Sequence, residues 1–335
     1  MKKFFILSLF ILLMVQIPAK EINISELSME EKIAQMIIVR GDNFDERYTR
    51  LGIGAIYLSK KKTREEYINL INKYQKSSEI KLLVSADMEG YWNPFPFFKS
   101  KNFGEINSKQ EAYILGSSHS KILKELGFNL DFSPVVERKN NVWPGRSFTG
   151  SDDEIKEKIS GYIKGLQENG ILATAKHYPG GSMIKDPHKF KYKYNLEKSD
   201  LELFDHAIKE NVSAIMVGHP IVSGELESKG KQSTISPEVI SYLKKDFDGL
   251  VISDEISMWG LKISYLFNSE KIYIDLINAG NDMIIDASPI FFPYHRIKSR
   301  INEVLEAVED GLISGKRINE SVEKILRVKG YSVIF

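Results

Sequence analysis

Acid, imidazole and ammonium side chains follow short apolar runs at four points of this sequence. A charged residue at one such point would mark only the place where a strand reaches water. Four points together indicate side chains that converge on one face of the fold, where carboxylates and imidazoles can act as nucleophile, general acid or general base. The side chains belong to Asp87 and Glu89, to Lys176 and His177, to His219, and to Asp254 and Glu255.

Eight short apolar runs lie along the chain, and helical patterns occupy the intervals between most of them. Runs without alternating polar residues are typical of strands buried on both faces, as in a parallel sheet. The alternation favours an α/β fold, a single-domain (β/α)8 TIM-type barrel, over the open doubly wound sheet that also alternates strands and helices. The runs are 36–39, 54–58, 82–86, 128–136, 171–177, 214–217, 250–252 and 283–285, followed by a long helical tail through Val304, Ala307, Leu312 and Leu326.

Length and composition are those of a globular chain. Of its 335 residues, 42% are hydrophobic and 27% charged, which excludes a disordered or collagen-like chain. Lys plus Arg number 46 against 45 for Asp plus Glu, so charge gives no reason to expect nucleic acid or an anionic membrane as the main partner. Cysteine is absent, which excludes disulfides, thiolate catalysis and the acylated cysteine of a lipoprotein.

Residues 1–19 have the pattern of a secretory signal peptide. Lys2 and Lys3 precede an apolar run from Phe4 to Val15, and Ala19 ends the stretch. The run is shorter than the roughly 20 residues of a membrane span, although an uncleaved anchor is an alternative. We therefore predict a signal peptide over 1–19 and the catalytic barrel over 20–335, with export to the periplasm or the extracellular space.

Seven stretches of the chain, taken in order, carry a resemblance to a known family. They are LSMEEKIAQMI (27–37), LGIGAIYLS (51–59), GRSF (145–148), KHYPG (176–180), DPH (186–188), IMVGHP (215–220) and ISDEISMWG (252–260). The sequence resembles glycoside hydrolase family 3, in its single-domain β-N-acetylglucosaminidase (β-N-acetylhexosaminidase) branch. The resemblance implies a barrel that removes β-linked N-acetylglucosamine from the non-reducing ends of cell-wall or chitin-type oligosaccharides.

The resemblance implies three catalytic residues. Asp254 corresponds to the nucleophile, which forms a covalent glycosyl-enzyme by the retaining route; by position alone it could equally be the N-cap of the next helix. His188 corresponds to the acid/base on the mobile loop after the fifth strand, and Asp186 to its orienting carboxylate. Pro187 favours an extended backbone in which both side chains point the same way, and the carboxylate favours the protonated imidazole. By spacing alone, His188 could be a solvated loop residue.

The resemblance also implies a first sugar subsite built from hydrogen-bond donors and one carboxylate. Two further side chains, on and after the sixth strand, are expected to line its wall. Three tryptophans that follow strand ends could stack on sugar rings or simply pack. The implied sugar-binding residues are Asp87, Arg146, Lys176 and His177, the wall residues are Met216 and His219, and the tryptophans are Trp92, Trp143 and Trp259.

The chain departs from the family pattern in four places, which leaves the substrate open. The departures keep every reacting group but reshape the pocket, so a catalytically weak or silent secreted sugar-binding barrel is one alternative. A lyase in which Lys176 forms a Schiff base is another, although it leaves Asp186, His188 and Asp254 without a role. The departing residues are Tyr91 to Asn93, Gly181 to Met183, Pro187 and Glu255.

The predicted hydrolysis needs no cofactor. The six histidines form no metal-binding signature of the HExxH type, so no metal site is predicted. The expected partner is a small β-N-acetylglucosaminide substrate. The chain is expected to be a monomer with no stable membrane span after cleavage of the signal peptide.

Overall fold

A computed structural model describes residues 20–266, 268–288 and 293–335, so the predicted signal peptide lies outside the described residues. The strands are β1 (Glu21–Asn23), β2 (Ile37–Arg40), β3 (Ala55–Tyr57), β4 (Leu83–Ala86), β5 (Leu130–Asp131), β6 (Lys139–Asn140), β7 (Leu172–Tyr178), β8 (Ser182–Met183), β9 (Lys193–Leu196), β10 (Ala214–Val217), β11 (Ile221–Gly224), β12 (Leu250–Ser253), β13 (Ile284–Asp286) and β14 (Ser332–Ile334). The helices are α1 (Met29–Gln35), α2 (Glu46–Leu51), α3 (Arg64–Ser77), α4 (Lys109–Leu126), α5 (Asp152–Gln167), α6 (Lys198–Lys209), α7 (Pro237–Leu243), α8 (Trp259–Lys262), α9 (Lys271–Ala279), α10 (Pro293–Glu309) and α11 (Gly315–Val328).

Eight of the strands form one parallel sheet that closes on itself. Their order is β13, β2, β3, β4, β5, β7, β10 and β12. A parallel bridge between Ile252 and Met283 joins the two ends of this row, so the strands follow one another around the sheet in chain order. The predicted (β/α)8 TIM-type barrel is confirmed, because an open doubly wound sheet would keep two free edges.

The barrel strands are short apolar runs because both of their faces are covered, one by the barrel interior and one by the helices. In β2 and β12, residues 37–39 and 250–252 are fully buried. The fourth run, predicted over 128–136, forms a much shorter strand, since only Leu130–Asp131 pairs continuously with its neighbours. The chain rejoins the sheet at Val135, which is bridged to Lys176.

Serine caps fix where helices begin, and glycines allow neighbouring helices around the barrel to approach closely. Ser28 caps α1 in a capping box with Glu31, in which each side chain accepts a hydrogen bond from the other residue's main-chain amide. Helices α4 and α5 approach so closely that a Cβ on Gly116 would lie 2.4 Å from the carbonyl oxygen of Tyr162. Any larger residue at this position would push the two helices apart.

The helical tail at the C-terminal end is interrupted. It consists of α10 and α11 with a turn between them. Gly311 in that turn has a φ of 74°, a left-handed conformation that ends a helix and that glycine adopts without steric strain. Leu312, counted in the predicted tail, is 62% exposed in the turn.

Short strand pairs tie the loops at the carboxyl ends of the barrel strands to one another. β6 pairs with β8, which joins the loop after β5 to the loop after β7. β9 pairs with β11, which joins the loop after β7 to the segment after β10. β1 pairs with β14 away from these loops. No helix in the described ranges is long and apolar enough to cross a membrane.

Candidate active site

Asp254 follows β12 directly and is 6% exposed. Its Oδ1 accepts a hydrogen bond from the Glu255 amide at 2.8 Å, and its Oδ2 lies 4.0 Å from Nε2 of His177. Burial acts to raise the pKa of this carboxyl, but the neighbouring imidazole of His177 and the amide hydrogen bond from Glu255 hold the pKa below its ordinary value. Asp254 is therefore a carboxylate at neutral pH, with one oxygen fixed by the main chain.

His219, which was expected in the wall of the sugar pocket, lies in the interior. It is 1% exposed, its Nδ1 contacts the Thr234 hydroxyl, and its Nε2 donates to the carbonyl oxygen of Glu255 at 3.1 Å. Burial lowers the pKa of this imidazole, which keeps it neutral. His219 lines a small adjoining cavity and not the main pocket, whereas Asp254 lines both.

Buried ion pairs connect the ends of β4 and β7 with the loop after β5. The Lys176 ammonium donates to Asp87 at 2.6 Å and lies 2.5 Å from Glu89. The Arg146 guanidinium donates to both oxygens of Glu89, at 2.7 and 2.9 Å. Burial acts to raise the pKa of Glu89, but the two cations overcome it and lower the pKa to about 2. Glu89 thus holds Lys176 and Arg146 side by side at the site.

His177 is held by a second carboxylate that follows the fourth apolar run. Its Nδ1 lies 2.7 Å from Oε1 of Glu137, which is 3% exposed. The other Glu137 oxygen accepts from the amide of Asn140 at 2.9 Å. With Nδ1 bound to this carboxylate, Nε2 is the atom that faces Asp254. Glu137 ends an apolar run just as the other acids do, and that signal could have found it in the sequence.

Asp186 and His188 form a contact pair on the loop after β7. They lie in a turn and not in the predicted extended segment, because the amides of Lys189 and Phe190 donate to the Asp186 carbonyl at 3.1 and 2.9 Å. Oδ1 of Asp186 accepts from the His188 main-chain amide and from its Nδ1, both at 2.9 Å. The Asp186 side chain is 17% exposed and that of His188 55% exposed. Nδ1 is therefore occupied, and Nε2 is the atom free to exchange a proton with a bound molecule.

The loop that carries this pair is attached on two sides. The pairing of β6 with β8 fixes its first part. On the other side, the amide of Trp259 donates to the His188 carbonyl at 3.3 Å, and that of Gly260 to the Pro187 carbonyl at 2.9 Å. A Cβ on Gly260 would lie 2.8 Å from that carbonyl oxygen, so the close approach needs a glycine.

These groups meet in one pocket of about 320 Å³. That size is near the lower end of the range for small-molecule sites, about 300–1,000 Å³. Of the residues assigned to the site from the sequence, the pocket brings together Asp87, Arg146, Lys176, His177, His188, Met216 and Asp254, while Asp186 contacts it through His188 and His219 lies outside. Its other lining residues are Arg40, Tyr57, Trp92, Phe132, Trp143, Met183, Pro187, Glu255, Met258, Ile285 and Ala287.

Glu255 differs electrostatically from its neighbour Asp254. Its carboxyl accepts from the Ser257 amide at 3.0 Å and from the Ser257 hydroxyl at 2.7 Å. Burial is the main cause that raises its pKa to about 7. Two adjacent carboxyl groups with opposite pKa shifts are typical of a site that performs acid–base chemistry.

The described residues contain no cluster of three or more His, Asp or Glu side chains able to hold a metal ion. The main pocket is lined by carboxylates, imidazoles, an ammonium group and guanidinium groups. A buried ionised carboxylate can attack an electrophilic carbon, and an exposed imidazole can exchange a proton with a leaving group.

The chain is similar to known proteins over most of its length. The sequence model described as "Glycosyl hydrolase family 3 N terminal domain" matches residues 28–328. A "Beta-N-acetylglucosaminidase/beta-glucosidase" of Cellulomonas fimi is 25% identical over 91% of the chain, which spans 58% of that relative. A "Beta-hexosaminidase" of Tolumonas auensis is 31% identical over 66% of the chain, which spans 71% of that relative.

Solved structures show the same fold. The structure of a "glycoside hydrolase family 3 beta-N-acetylglucosaminidase" from a Paenibacillus species superposes with a TM-score of 0.79 at 24% identity. The match covers 90% of this chain and 62% of the Paenibacillus chain. The present chain thus spans somewhat more than half the length of the Cellulomonas and Paenibacillus proteins.

Proposed function

The chain belongs to glycosyl hydrolase family 3, and on that premise we propose that it is a retaining β-N-acetylhexosaminidase. Its substrates would be cell-wall or chitin-type oligosaccharides with β-linked N-acetylglucosamine at the non-reducing end. The observation that carries the proposal is the single pocket in which the ionised Asp254, the imidazole of the Asp186/His188 pair and the ion-paired donors Lys176 and Arg146 lie together.

Asp254 would act first, as the nucleophile. Its carboxylate attacks the anomeric carbon, the bond from that carbon to the leaving oxygen breaks, and a covalent glycosyl-enzyme forms. The amide of Glu255 fixes one carboxylate oxygen, and the low pKa of Asp254 keeps the group ionised for attack. The Nε2 of His177, 4.0 Å from Oδ2, adds to the polarity around this oxygen.

His188 would supply and recover the proton. In the first step its Nε2 protonates the leaving oxygen, and in the second the same nitrogen takes a proton from the water that attacks the glycosyl-enzyme. Asp186 supports both steps because its Oδ1 holds Nδ1 and the main-chain amide of His188 together. A histidine fixed in this way presents the same nitrogen in both half-reactions.

The sugar ring would be bound through its hydroxyls by the ion-paired groups. Asp87 is an acceptor with a 34% exposed side chain, and it lines the pocket beside Lys176. The pairing of these groups with one another keeps their charges satisfied when the pocket is empty. The hydroxyls of a substrate can then replace water in the pocket, and no buried charge is left unpaired.

The Schiff-base alternative fits these contacts poorly. A lysine must be neutral to attack a carbonyl. Burial acts to lower the pKa of Lys176, but Asp87 and Glu89 overcome it and raise the pKa. The ammonium form is therefore favoured, and its protons are directed at two carboxylates.

Hydrolysis of a panel of aryl β-glycosides tests the proposal. The panel would contain the N-acetylglucosaminide, N-acetylgalactosaminide, glucoside and xyloside, and we expect fastest turnover of the N-acetylglucosaminide. Faster turnover of the glucoside would change the proposed substrate. Binding of N-acetylglucosamine oligomers in calorimetry without any turnover would instead favour a silent sugar-binding barrel.

We further propose that residues 1–19 direct export and that residues 20–335 form the catalytic unit. The basic start and apolar run of the first segment support this.

A further inference from the structure

The imidazole of His188 has an aromatic neighbour as well as its carboxylate. The ring of Trp143, on the loop after β5, meets it edge to face, with ring centroids 5.9 Å apart and an interplanar angle of 83°. More than half of the His188 side chain is exposed. Asp186 fixes Nδ1 but leaves the ring free to tilt about that hydrogen bond, so a second contact is needed to fix the ring plane.

Trp143 is itself fixed to the part of the site that binds the sugar. Its main-chain amide donates to Oδ1 of Asn140 at 2.7 Å, and Asn140 also donates to Glu137, the carboxylate that holds His177. Asn140 belongs to β6, which pairs with β8 at the start of the loop that carries His188. The position of Trp143 therefore depends on two strand ends and on the loop itself.

The same indole also contacts a cation of the sugar subsite. The Arg146 Cζ atom lies 5.1 Å from the centre of the Trp143 ring. Arg146 in turn donates to Glu89 through two nitrogens. A guanidinium that lies over the face of an aromatic ring keeps its in-plane donors available, so this contact leaves the nitrogens of Arg146 available to Glu89 and to a ligand.

We propose that Trp143 is a positioning residue that sets the orientation of the His188 imidazole relative to Arg146 and the sugar subsite. The proposal rests on the function proposed above, in which His188 is the acid/base. Trp143 takes no part in proton transfer. It fixes the plane of the ring so that Nε2 faces the oxygen of the leaving group once the sugar is held beside Arg146.

The leaving group provides the test. An alkoxide leaving group needs protonation, whereas a nitrophenolate leaves without it. Trp143→Leu, which keeps apolar bulk but removes the ring, should lower kcat/KM for chitobiose by on the order of tenfold to a hundredfold. It should lower kcat/KM for 4-nitrophenyl β-N-acetylglucosaminide far less. Trp143→Phe, which keeps an aromatic face, should recover most of the loss.

Two controls separate positioning from general damage. Trp92 lines the same pocket and is 48% exposed. Any decrease in kcat/KM caused by Trp92→Leu should therefore be equal for the two substrates. In a His188→Ala background, Trp143→Leu should lose the part of its effect that depends on the leaving group, because the residue it positions is gone.

An equal loss on both substrates for Trp143→Leu, or a Phe variant no better than the Leu variant, would overturn the positioning role. If the Leu variant fails to fold, Trp143→Met, a second apolar variant without the ring, decides the matter. A shift of its substrate ratio toward the aryl glycoside relative to wild type supports the role, and an unchanged ratio opposes it. A wild-type protein that hydrolyses neither substrate would instead remove the proposed function itself.

Discussion

His219 and Asp254 are connected through the main chain of Glu255. The Glu255 carbonyl accepts from Nε2 of His219 at 3.1 Å, and its amide donates to Oδ1 of Asp254 at 2.8 Å. Because burial lowers the pKa of His219, the ring is neutral and acts through this connection more than through a fixed charge. The carboxylate proposed as the nucleophile is thus oriented from the barrel interior.

We expect His219→Ala to lower kcat by roughly tenfold or more, because a displaced Glu255 main chain misplaces the attacking oxygen. The loss should be the same for an aryl glycoside and a disaccharide, since the defect lies in attack and not in protonation. Pre-steady-state measurement of glycosyl-enzyme formation checks this. His219→Gln, which retains a donor near the position of Nε2, is the matched control and should keep more activity. A loss confined to the disaccharide would contradict this role.

Asp254 should be the site of covalent trapping. Its low pKa and its place at the end of β12 in the pocket make it the ionised acid best placed for attack. A 5-fluoro glycosyl fluoride derived from N-acetylglucosamine should inactivate the protein and add one sugar mass to the peptide that contains Asp254, as measured by mass spectrometry. Asp254→Asn should not be labelled. A label on Glu89 or Glu255 would identify a different nucleophile.

Glu89 should make stability depend on pH in the acid range. Its pKa is about 2 in the folded protein against an ordinary value of 4.5. A lowered carboxyl pKa stabilises the fold above pH 4.5, and this stabilisation disappears as the pH falls from 4.5 toward 2. Glu89→Gln should lower the free energy of unfolding at pH 7 by about 3 kcal/mol or more, because it leaves Arg146 and Lys176 short of a buried partner.

Urea denaturation of wild type and Glu89→Gln across pH 2.5 to 7 measures the effect. The difference between the two should shrink as the pH falls. Glu65→Gln, at an exposed position on α3, should change stability little at any pH. A wild-type minus Glu89→Gln difference that stays constant with pH would show that Glu89 does not titrate below its ordinary value.

The barrel could be predicted from the sequence because each strand is buried on both faces and therefore appears as an unbroken apolar run. The carboxyl ends of those runs also gave the pocket residues Asp87, Lys176, His177 and Asp254. The role of His219 could not be predicted, because it depends on a contact with the main chain of Glu255, 36 residues away. A side chain at a strand end can face the pocket or the interior, and the sequence does not distinguish the two.

The contacts between loops could not be predicted from the sequence either. The pairing of Asn140 with Met183 joins two-residue strands, and such short segments leave no periodic pattern. The contact of Trp143 with His188 depends on this pairing. From the sequence, a tryptophan after a strand end could equally pack against the protein or stack on a sugar. The contact with the His188 ring is visible only in the structure.

Export should be separable from folding. A chain beginning at Lys20 contains all of the described residues and no cysteine, so it should fold in a reducing cytoplasm and keep its activity. The full chain, expressed with its first 19 residues, should be recovered outside the cytoplasm, as fractionation and N-terminal sequencing would show. Insolubility of the shorter chain, with a soluble full-length protein, would mean that the first segment belongs to the fold.

The loss of activity on removal of His188 should depend on how strongly the leaving group requires protonation. Nε2 of His188 is the free nitrogen beside the pocket, since Nδ1 is held by Asp186 at 2.9 Å. His188→Ala should therefore lower the rate on a disaccharide by roughly 100-fold or more, within the range typical of general acid catalysis, and should affect the first step on a nitrophenyl glycoside much less. Comparison of kcat/KM for the two substrates checks this.

The second half-reaction gives an independent test of the same residue. Without His188 no base activates the incoming water, so the glycosyl-enzyme should accumulate with the aryl substrate, and an anion that needs no base should relieve the block. Added azide should accelerate turnover and give the β-glycosyl azide, identified by NMR. Asp186→Ala should show both effects more weakly, because this carboxylate orients the ring without transferring the proton.

If His188→Ala slows both substrates equally and azide has no effect, the proton comes from another group. Glu255, with its pKa raised to about 7 in the same pocket, would then be the next residue to change.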